Sequence, residues 1–279
     1  MRVIDFRVRP PVAGFEAGRM YAAPARTAAM SAAFGFPDPA PTLAAPGSKA
    51  FETELAAAAL ELCVIPGRVG APDVGPADNG ALVGYAAANP ALCVFPAIDP
   101  HAEGWRVEAD RLLGERCVRG LTLEPGLLER PVYPDDPACL PVYELCAARG
   151  VPLILSAGGN VGPDCSYTAP EHVDRVARDF PRLDLVIAHG GWPWITGYNH
   201  VAFRRGNVYL SPDMYALMPG NEAYLAAMNG YLSERYVYAT SFPFVPLRAY
   251  RERFLRIVAN DAVAERVLHA NTARLLRLA

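Results

Sequence analysis

The sequence predicts an α/β fold, a (β/α)8 TIM barrel. Short β-branched runs recur roughly every 25 to 33 residues, each followed by a polar turn and an amphipathic stretch, the pattern of repeated βα units around a parallel sheet. Eight such runs are present, enough to close a barrel. A chain of 279 residues fills one barrel of this kind, so residues 1–279 read as a single domain.

In order, the strand candidates are Val3 to Phe6, Leu62 to Ile65, Leu92 to Ile98, Val118 to Leu123, Val151 to Leu155, Leu183 to Ala188, Asn207 to Leu210 and Tyr236 to Ala239. Between them lie helix candidates over Lys49 to Leu60, Arg106 to Arg116, Leu140 to Arg149, Pro170 to Phe180 and Glu222 to Glu234, several stopped by Gly or Pro. Two closing helices follow, Leu247 to Val258 and Asp261 to Leu278, the second with Asp261 as its expected N-cap. Residues 10–47, rich in Pro, Ala and Gly, are too long for an ordinary βα loop. They leave the first strand at the end where barrel active sites are built, so they read as a lid with Phe15, Tyr21 and Phe34 as its apolar contacts. A passive surface excursion is the alternative.

A formal net charge of −3 offers no electrostatic footprint for nucleic acid, and the expected partner is a small molecule. The chain opens as Met1-Arg2-Val3-Ile4-Asp5-Phe6 without an apolar signal-type stretch, and no run approaches a membrane span, so a cytoplasmic protein is expected. The cysteines, at 63, 93, 117, 139, 146 and 165, show no paired metal-ligand spacing and read as reduced structural thiols.

Side chains at the C-terminal ends of barrel strands converge on one mouth. Those ends supply Asp5, Arg7 and Arg9 at the first strand, Asp99 and His101 at the third, Glu124 at the fourth, and Ser156 with Gly158-Gly159-Asn160 at the fifth. His189 follows the sixth, Ser211, Asp213 and Tyr215 the seventh, Thr240 and Ser241 the eighth.

Within this set, Leu185-Val186-Ile187-Ala188-His189-Gly190-Gly191-Trp192-Pro193-Trp194 resembles the sixth-strand signature of the amidohydrolase-related family, which includes aminocarboxymuconate-semialdehyde decarboxylase-like enzymes and pyrone dicarboxylate lactonases. Gly150 to Leu155, Asn207 to Leu210, Tyr238 to Phe244 and Leu268 to Leu276 resemble its fifth, seventh, eighth and closing elements. The resemblance implies a metal-dependent-hydrolase-like barrel that cleaves C–O, C–N or C–C bonds; barrels of this family often associate, which leaves a homo-oligomer open. The departures concern the metal. Where the family opens with D-x-H-x-H this chain has Asp5-Phe6-Arg7-Val8-Arg9-Pro10-Pro11, which resembles the opening of a metal-ligand-depleted subgroup. The fifth-strand histidine is Ser156 and the eighth-strand aspartate is Ser241, so only His189 of the ligand set remains. A guanidinium cannot ligate a cation, and no metal or other cofactor is expected.

Arg7 and Arg9, two apart on an extended segment, should point to one side, expected to be the lumen, as a clamp for a carboxylate or phosphate. The alternative is a salt-bridge network with Glu124, Asp5 or Asp213. His189 is the candidate general acid or base, with Glu124 and Asp213 as catalytic partners; the alternative for His189 is a structural histidine. Ser156, Asn160, Trp192, Tyr215 and Ser241 complete the expected substrate-binding set, and the Gly158-Gly159-Asn160 loop could offer backbone N–H groups to an oxyanion. His172, His200 and His269 read as surface residues. The leading reading is a metal-independent hydrolase or lyase for a small carboxylate or lactone. The competing ones are a non-catalytic anion-binding barrel and an atypical divalent cation held by Glu124, His189 and Asp213.

Overall fold

A computed structural model describes residues 1–70 and 75–278. Its strands are β1 (Ile4–Asp5), β2 (Leu62–Pro66), β3 (Leu92–Phe95), β4 (Leu121–Leu123), β5 (Leu153–Ser156), β6 (Leu185–Ala188) and β7 (Val208–Ser211). All pair in parallel, in the orders β1-β2-β3 and β4-β5-β6-β7. Two seams close the ring. Val94 bridges Val118 and Ala97 bridges Thr122 between β3 and β4, while the eighth extended segment is bridged on one side by Leu210 to Tyr236 and on the other by Phe242 to Val8. Hydrogen bonds from Val237 N to Leu210 O (3.0 Å) and from Phe6 N to Tyr238 O (2.9 Å) run across that segment. The fold is therefore a (β/α)8 barrel, with its eighth strand reduced to bridges.

The alternation of the strands separates two apolar layers. Phe6, Val64, Phe95, Ile154, Val186, Tyr209 and Val237 fill the lumen, joined by Leu275 and Leu276 of the closing helix. Cys63, Ile65, Val94, Leu155, Ile187 and Leu210 face the helices in the larger core. All six cysteines are free, four of them buried.

The helices are α1 (Arg19–Ala22), α2 (Pro24–Ala33), α3 (Ser48–Ala58), α4 (Asn79–Ala87), α5 (Trp105–Leu112), α6 (Leu140–Arg149), α7 (Pro170–Asp179), α8 (Ile195–Arg204), α9 (Glu222–Met228), α10 (Leu247–Phe254), α11 (Asp261–Glu265) and α12 (Asn271–Leu275). No helix among the described residues is long and apolar enough to cross a membrane. Several expected boundaries shift. The N-cap of α11 is Asn260, whose Oδ1 accepts from Val263 N at 3.0 Å, and Asp261 is the first helical residue. The expected closing helix is interrupted by a π-helical turn over Arg266–Ala270. There Asn271 donates to Ser233 O (2.8 Å) and Tyr236 O (2.7 Å), tying the last helix to the eighth segment. The helix expected from Glu222 stops at Met228 and that from Arg106 at Leu112. Two of the expected surface histidines are enclosed: His269 is buried beside Glu61 and Glu265, and His172 is partly buried with Nδ1 2.6 Å from Asp135.

Residues 10–47 carry α1, α2 and two short 3-10 turns. Pro24 starts α2 at its first turn, where a missing N–H costs nothing. The segment is fixed to the barrel: Tyr21 Oη donates to Arg9 O (2.7 Å), Phe15 lies under the Arg9 guanidinium, and Phe34 meets the Tyr215 ring edge-on at 5.7 Å.

Candidate active site

The mouth begins at the end of β1. Simple alternation with Phe6 in the lumen would send Arg7 and Arg9 outward, contrary to the lumen expected for them. What redirects them is Asp5: its carboxylate accepts from Arg7 N (3.0 Å) and Thr240 N (3.0 Å) on one oxygen and from Thr240 Oγ1 (2.7 Å) on the other. This local turn ends the strand at Asp5, and the two guanidiniums swing over the mouth. Burial pushes the Asp5 carboxyl up to about 7, against the pull of these hydrogen bonds.

Glu124, wholly buried after β4, is the hub. Its Oε1 accepts from Arg9 Nη2 (3.0 Å), Arg68 Nη2 (3.2 Å) and Ser156 Oγ (3.0 Å), and its Oε2 from Arg68 Nε (2.9 Å). Burial disfavours the charged carboxylate, but Arg68, Arg9 and Arg7 together hold it well below the usual range. Arg9 also donates to Pro66 O and Gly67 O, both at 3.2 Å. Arg7 differs. Its Nη2 is 3.8 Å from Glu124 and its Nε 3.5 Å from Asp213, yet Nε and Nη1 make no hydrogen bond although the side chain is only 4% exposed. Burial lowers the pKa of Arg7, which still leaves an arginine charged at neutral pH.

Across the mouth, Asp213 Oδ2 lies 3.0 Å from His189 Nδ1 and accepts from the His189 backbone N–H at 3.2 Å. The Nδ1 approach has the distance of an ion pair without the alignment of a hydrogen bond. Ser211 Oγ donates to Asp213 Oδ1 at 2.5 Å. Burial, then the Arg7 charge, lowers the His189 pKa against the pull of Asp213, leaving a neutral imidazole. Burial raises Asp213, but His189, Arg7 and Ser211 outweigh it and hold the carboxyl below its usual range. His189 (φ 60°), Asp213 (φ 55°) and Ser241 (φ 62°) all occupy the left-handed backbone region. Each such residue costs about 1–3 kcal/mol and persists only where its surroundings fix it. Tyr224 Oη donates to His189 O and Gly190 O, both at 3.2 Å, and Tyr250 Oη donates to Asp213 O.

These groups surround a cavity of about 180 Å³. Of the expected residues, Arg7, Arg9, Glu124, Asn160, His189, Tyr215 and Ser241 line it. Asp213 and Ser156 sit behind the lining, bound to His189 and Glu124, and Trp192 backs it by stacking on Tyr215 at 4.9 Å. The glycine loop does not serve as an oxyanion site through Gly159, whose N–H donates to Trp192 O at 2.7 Å. Its glycines answer to space instead: a Cβ on Gly159 (φ 73°) would stand 3.1 Å from His189 and from Tyr215 Oη. Asp99 Oδ1 accepts from the His101 backbone N–H, and the exposed His101 does not line the cavity. Arg68, Arg19, Arg26, Met20 and Met30 line it without having been singled out in the sequence.

A metal of the kind the family resemblance implies does not fit these residues. Arg7 and Arg9 occupy the positions of two ligands, the Glu124 oxygens are filled by guanidinium and hydroxyl donors, and the described residues contain no group of three or more His, Cys, Asp or Glu able to hold an ion. Glu124, His189 and Asp213 thus do not form the cation site weighed above.

Fold and site define a barrel enzyme with a cationic, strained mouth. The amidohydrolase family model matches residues 12–278, and the chain belongs to that family. The match begins just after the Asp5 to Pro11 run. The uncharacterized TIM-barrel protein Bb4693 from Bordetella bronchiseptica is 38% identical, with 99% of each chain covered and a TM-score of 0.91. A 2,6-dihydroxybenzoate decarboxylase from Rhizobium is 17% identical over 84% of this chain and 93% of that one, TM-score 0.64. A probable 2-pyrone-4,6-dicarboxylic acid hydrolase from Acinetobacter baumannii is 15% identical over the whole of both chains, TM-score 0.64. The last two share the fold. No curated protein matches the chain.

Proposed function

We propose that the protein is a hydrolase or carboxy-lyase for a small carboxylate or lactone, working without a resident metal, and that hydrolysis is the branch its site favours. The observation that carries this reading is Arg7, a buried guanidinium on the cavity wall whose Nε and Nη1 have no acceptor. Buried donors are normally satisfied, so an anionic oxygen from the substrate is the missing partner. Arg9 and Arg68, bound to Glu124, form the cationic floor rather than a two-pronged clamp, and Glu124 holds them in place instead of moving protons.

His189, neutral and beside Asp213, removes a proton from a water as its oxygen bonds to the acyl carbon; Asp213 stabilises the imidazolium. The proton then passes to the leaving oxygen as the C–O bond breaks. A neutral imidazole suits this first proton removal, which is why hydrolysis is preferred over protonating a carbanion. Residues 10–47 act as the lid over this site, with Met20 and Met30 as its inner face.

The test pairs turnover with binding. His189→Asn should lower kcat on a responsive lactone or ester by about 10²–10⁴-fold while leaving the Kd of a non-hydrolysable carboxylate nearly unchanged. Arg7→Ala should weaken that carboxylate by about 1.5–3 kcal/mol. Full turnover by His189→Asn removes the imidazole from the mechanism. Undiminished binding by Arg7→Ala removes the anion site.

A further inference from the structure

The tyrosines of this barrel divide by what their hydroxyls meet. Tyr21, Tyr143, Tyr198, Tyr224, Tyr236 and Tyr250 each donate to a backbone carbonyl or to Asn199 Oδ1, as buried donors do. Tyr215 does not. It lines the mouth cavity and is only 6% exposed, yet its Oη has no hydrogen-bond partner among the described residues. The ring itself is fixed on three sides: Trp192 stacks on it at 4.9 Å, and His189 and Phe34 meet it edge-on at 5.5 and 5.7 Å. Burial pushes the phenol up to about 12, so it keeps its proton at neutral pH. His189 Nδ1 faces Asp213 at 3.0 Å, which leaves the opposite Nε2–Cδ2 edge of the imidazole for the substrate. His189 Cδ2 and Tyr215 Oη each lie 3.1 Å from the point where a Cβ on Gly159 would stand, so base and hydroxyl flank one gap that the glycine leaves open.

We propose that Tyr215 is a catalytic residue whose hydroxyl donates to the substrate's acyl oxygen as negative charge gathers there. This rests on the hydrolytic reading with His189 as base and adds the donor that reading lacks: the unpaired N–H groups of Arg7 are taken up by the substrate's carboxylate, and the Gly159 N–H is occupied by Trp192 O. In the first step the water oxygen bonds to the acyl carbon, the water proton goes to His189 Nε2, and the carbonyl π pair moves onto the acyl oxygen, which accepts from Tyr215 Oη. When that pair returns, the C–O bond to the leaving oxygen breaks and the imidazolium proton goes to that oxygen. The phenolic proton never leaves Tyr215. A donor already fixed by three rings needs no reorganisation as the charge forms, which is the source of such a donor's effect.

The experiment uses three probes. The first is 3-acetoxypropionate, an ester that carries its own carboxylate. The second is the methylphosphonate monoester of 3-hydroxypropionate, whose tetrahedral anionic phosphorus mimics the hydrated acyl carbon, and the third is 3-methoxypropionate, which has the carboxylate and no acyl group. Tyr215→Phe keeps the ring contacts and removes one oxygen. It should lower kcat for the ester about 10²–10³-fold with KM little changed, and weaken the phosphonate about 10- to 100-fold in calorimetric titration, a comparison that stands without turnover. The Kd of 3-methoxypropionate and the thermal midpoint should match the parent, since the hydroxyl has no protein partner to lose. Undiminished turnover and phosphonate binding in Tyr215→Phe, with turnover collapsed in His189→Asn, overturns the role of Tyr215 and leaves the hydrolytic reading standing. Equal weakening of phosphonate and 3-methoxypropionate overturns it too, reducing Tyr215 to a shaper of the pocket. A parent that neither hydrolyses the ester nor binds the phosphonate more tightly than 3-methoxypropionate overturns the hydrolytic reading, and Tyr215 with it.

Discussion

Glu124→Gln tests whether Glu124 holds charge or moves protons. The wholly buried carboxylate accepts four hydrogen bonds, from Arg9 Nη2, Arg68 Nε, Arg68 Nη2 and Ser156 Oγ, with Arg7 Nη2 at 3.8 Å. Glutamine keeps the size but removes the charge and turns an amide donor toward guanidinium donors. Breaking a buried pair on one side costs about 3–5 kcal/mol. At roughly 2–4 °C of midpoint per kcal/mol for chains of this size, thermal unfolding at neutral pH should show a drop of roughly 6–20 °C. The pH dependence gives a second reading. Since the folded carboxyl is held below its ordinary value, its stabilising effect is complete above about pH 4.3, the unfolded value, and is lost as pH falls toward the folded one. The stability gap between parent and variant should therefore narrow on acidification. A midpoint within about 2 °C of the parent together with collapsed turnover would refute this reasoning and restore Glu124 as the catalytic base.

Asp5 should behave in the opposite sense: its carboxyl is raised to about 7, so the parent should lose stability, on the order of a few kcal/mol, as pH rises from about 4 to about 7. Chemical denaturation of Asp5→Asn across that range should show a much flatter profile, and parallel profiles would contradict the raised value. Tyr224→Phe and Tyr250→Phe each remove a hydroxyl from a carbonyl of a left-handed residue, His189 and Asp213, and should cost about 1–3 kcal/mol of stability. Because relaxation of that backbone turns the imidazole and carboxylate away from each other, kcat should fall more than KM rises; stability lost with kcat intact would reduce both tyrosines to packing.

The barrel was legible because β-branched runs and strand-end polar residues obey periodic rules, and most expected site residues do line or back one cavity. Arg68 was legible by the same rule, since Gly67-Arg68 directly follows β2, but the strand-end survey passed over that end. Arg7 and Arg9 line the mouth on the side expected for them, but through a turn the sequence does not show: alternation holds only inside a strand, and Asp5 ends β1 by accepting Arg7 N and Thr240 N, a contact 235 residues apart in sequence. The helices within residues 10–47 were hidden by their composition: its Ala and Pro content resembles a loop, although Pro24 at the first turn of α2 was an available helix-start signal. His269 and His172 show the limit of treating isolated histidines as surface residues, since what encloses them comes from carboxylates distant in sequence.

Under the proposed metal-free function, arginines in place of metal ligands change which residue must do the chemistry. A bound cation both polarises an acyl oxygen and acidifies its own water, whereas a guanidinium offers only fixed charge and directed N–H groups. Arg7 can therefore take over polarisation, but nothing in the arginine floor generates a hydroxide-like nucleophile. Proton removal from water then falls to a basic side chain at the mouth. Glu124 is held ionised by three guanidiniums and is correspondingly a weak base, and Asp213, held below its ordinary range, is weaker than an unperturbed carboxylate. His189, whose pKa burial and the Arg7 charge lower, is the proposed base. On the proposed reading, the Arg7 charge that would receive the anion also adds to burial in holding the imidazole pKa down. Under the proposed function, a carboxylate at Arg7 offsets that charge and raises the basicity of the imidazole, so substrate binding and base strength are coupled through one guanidinium.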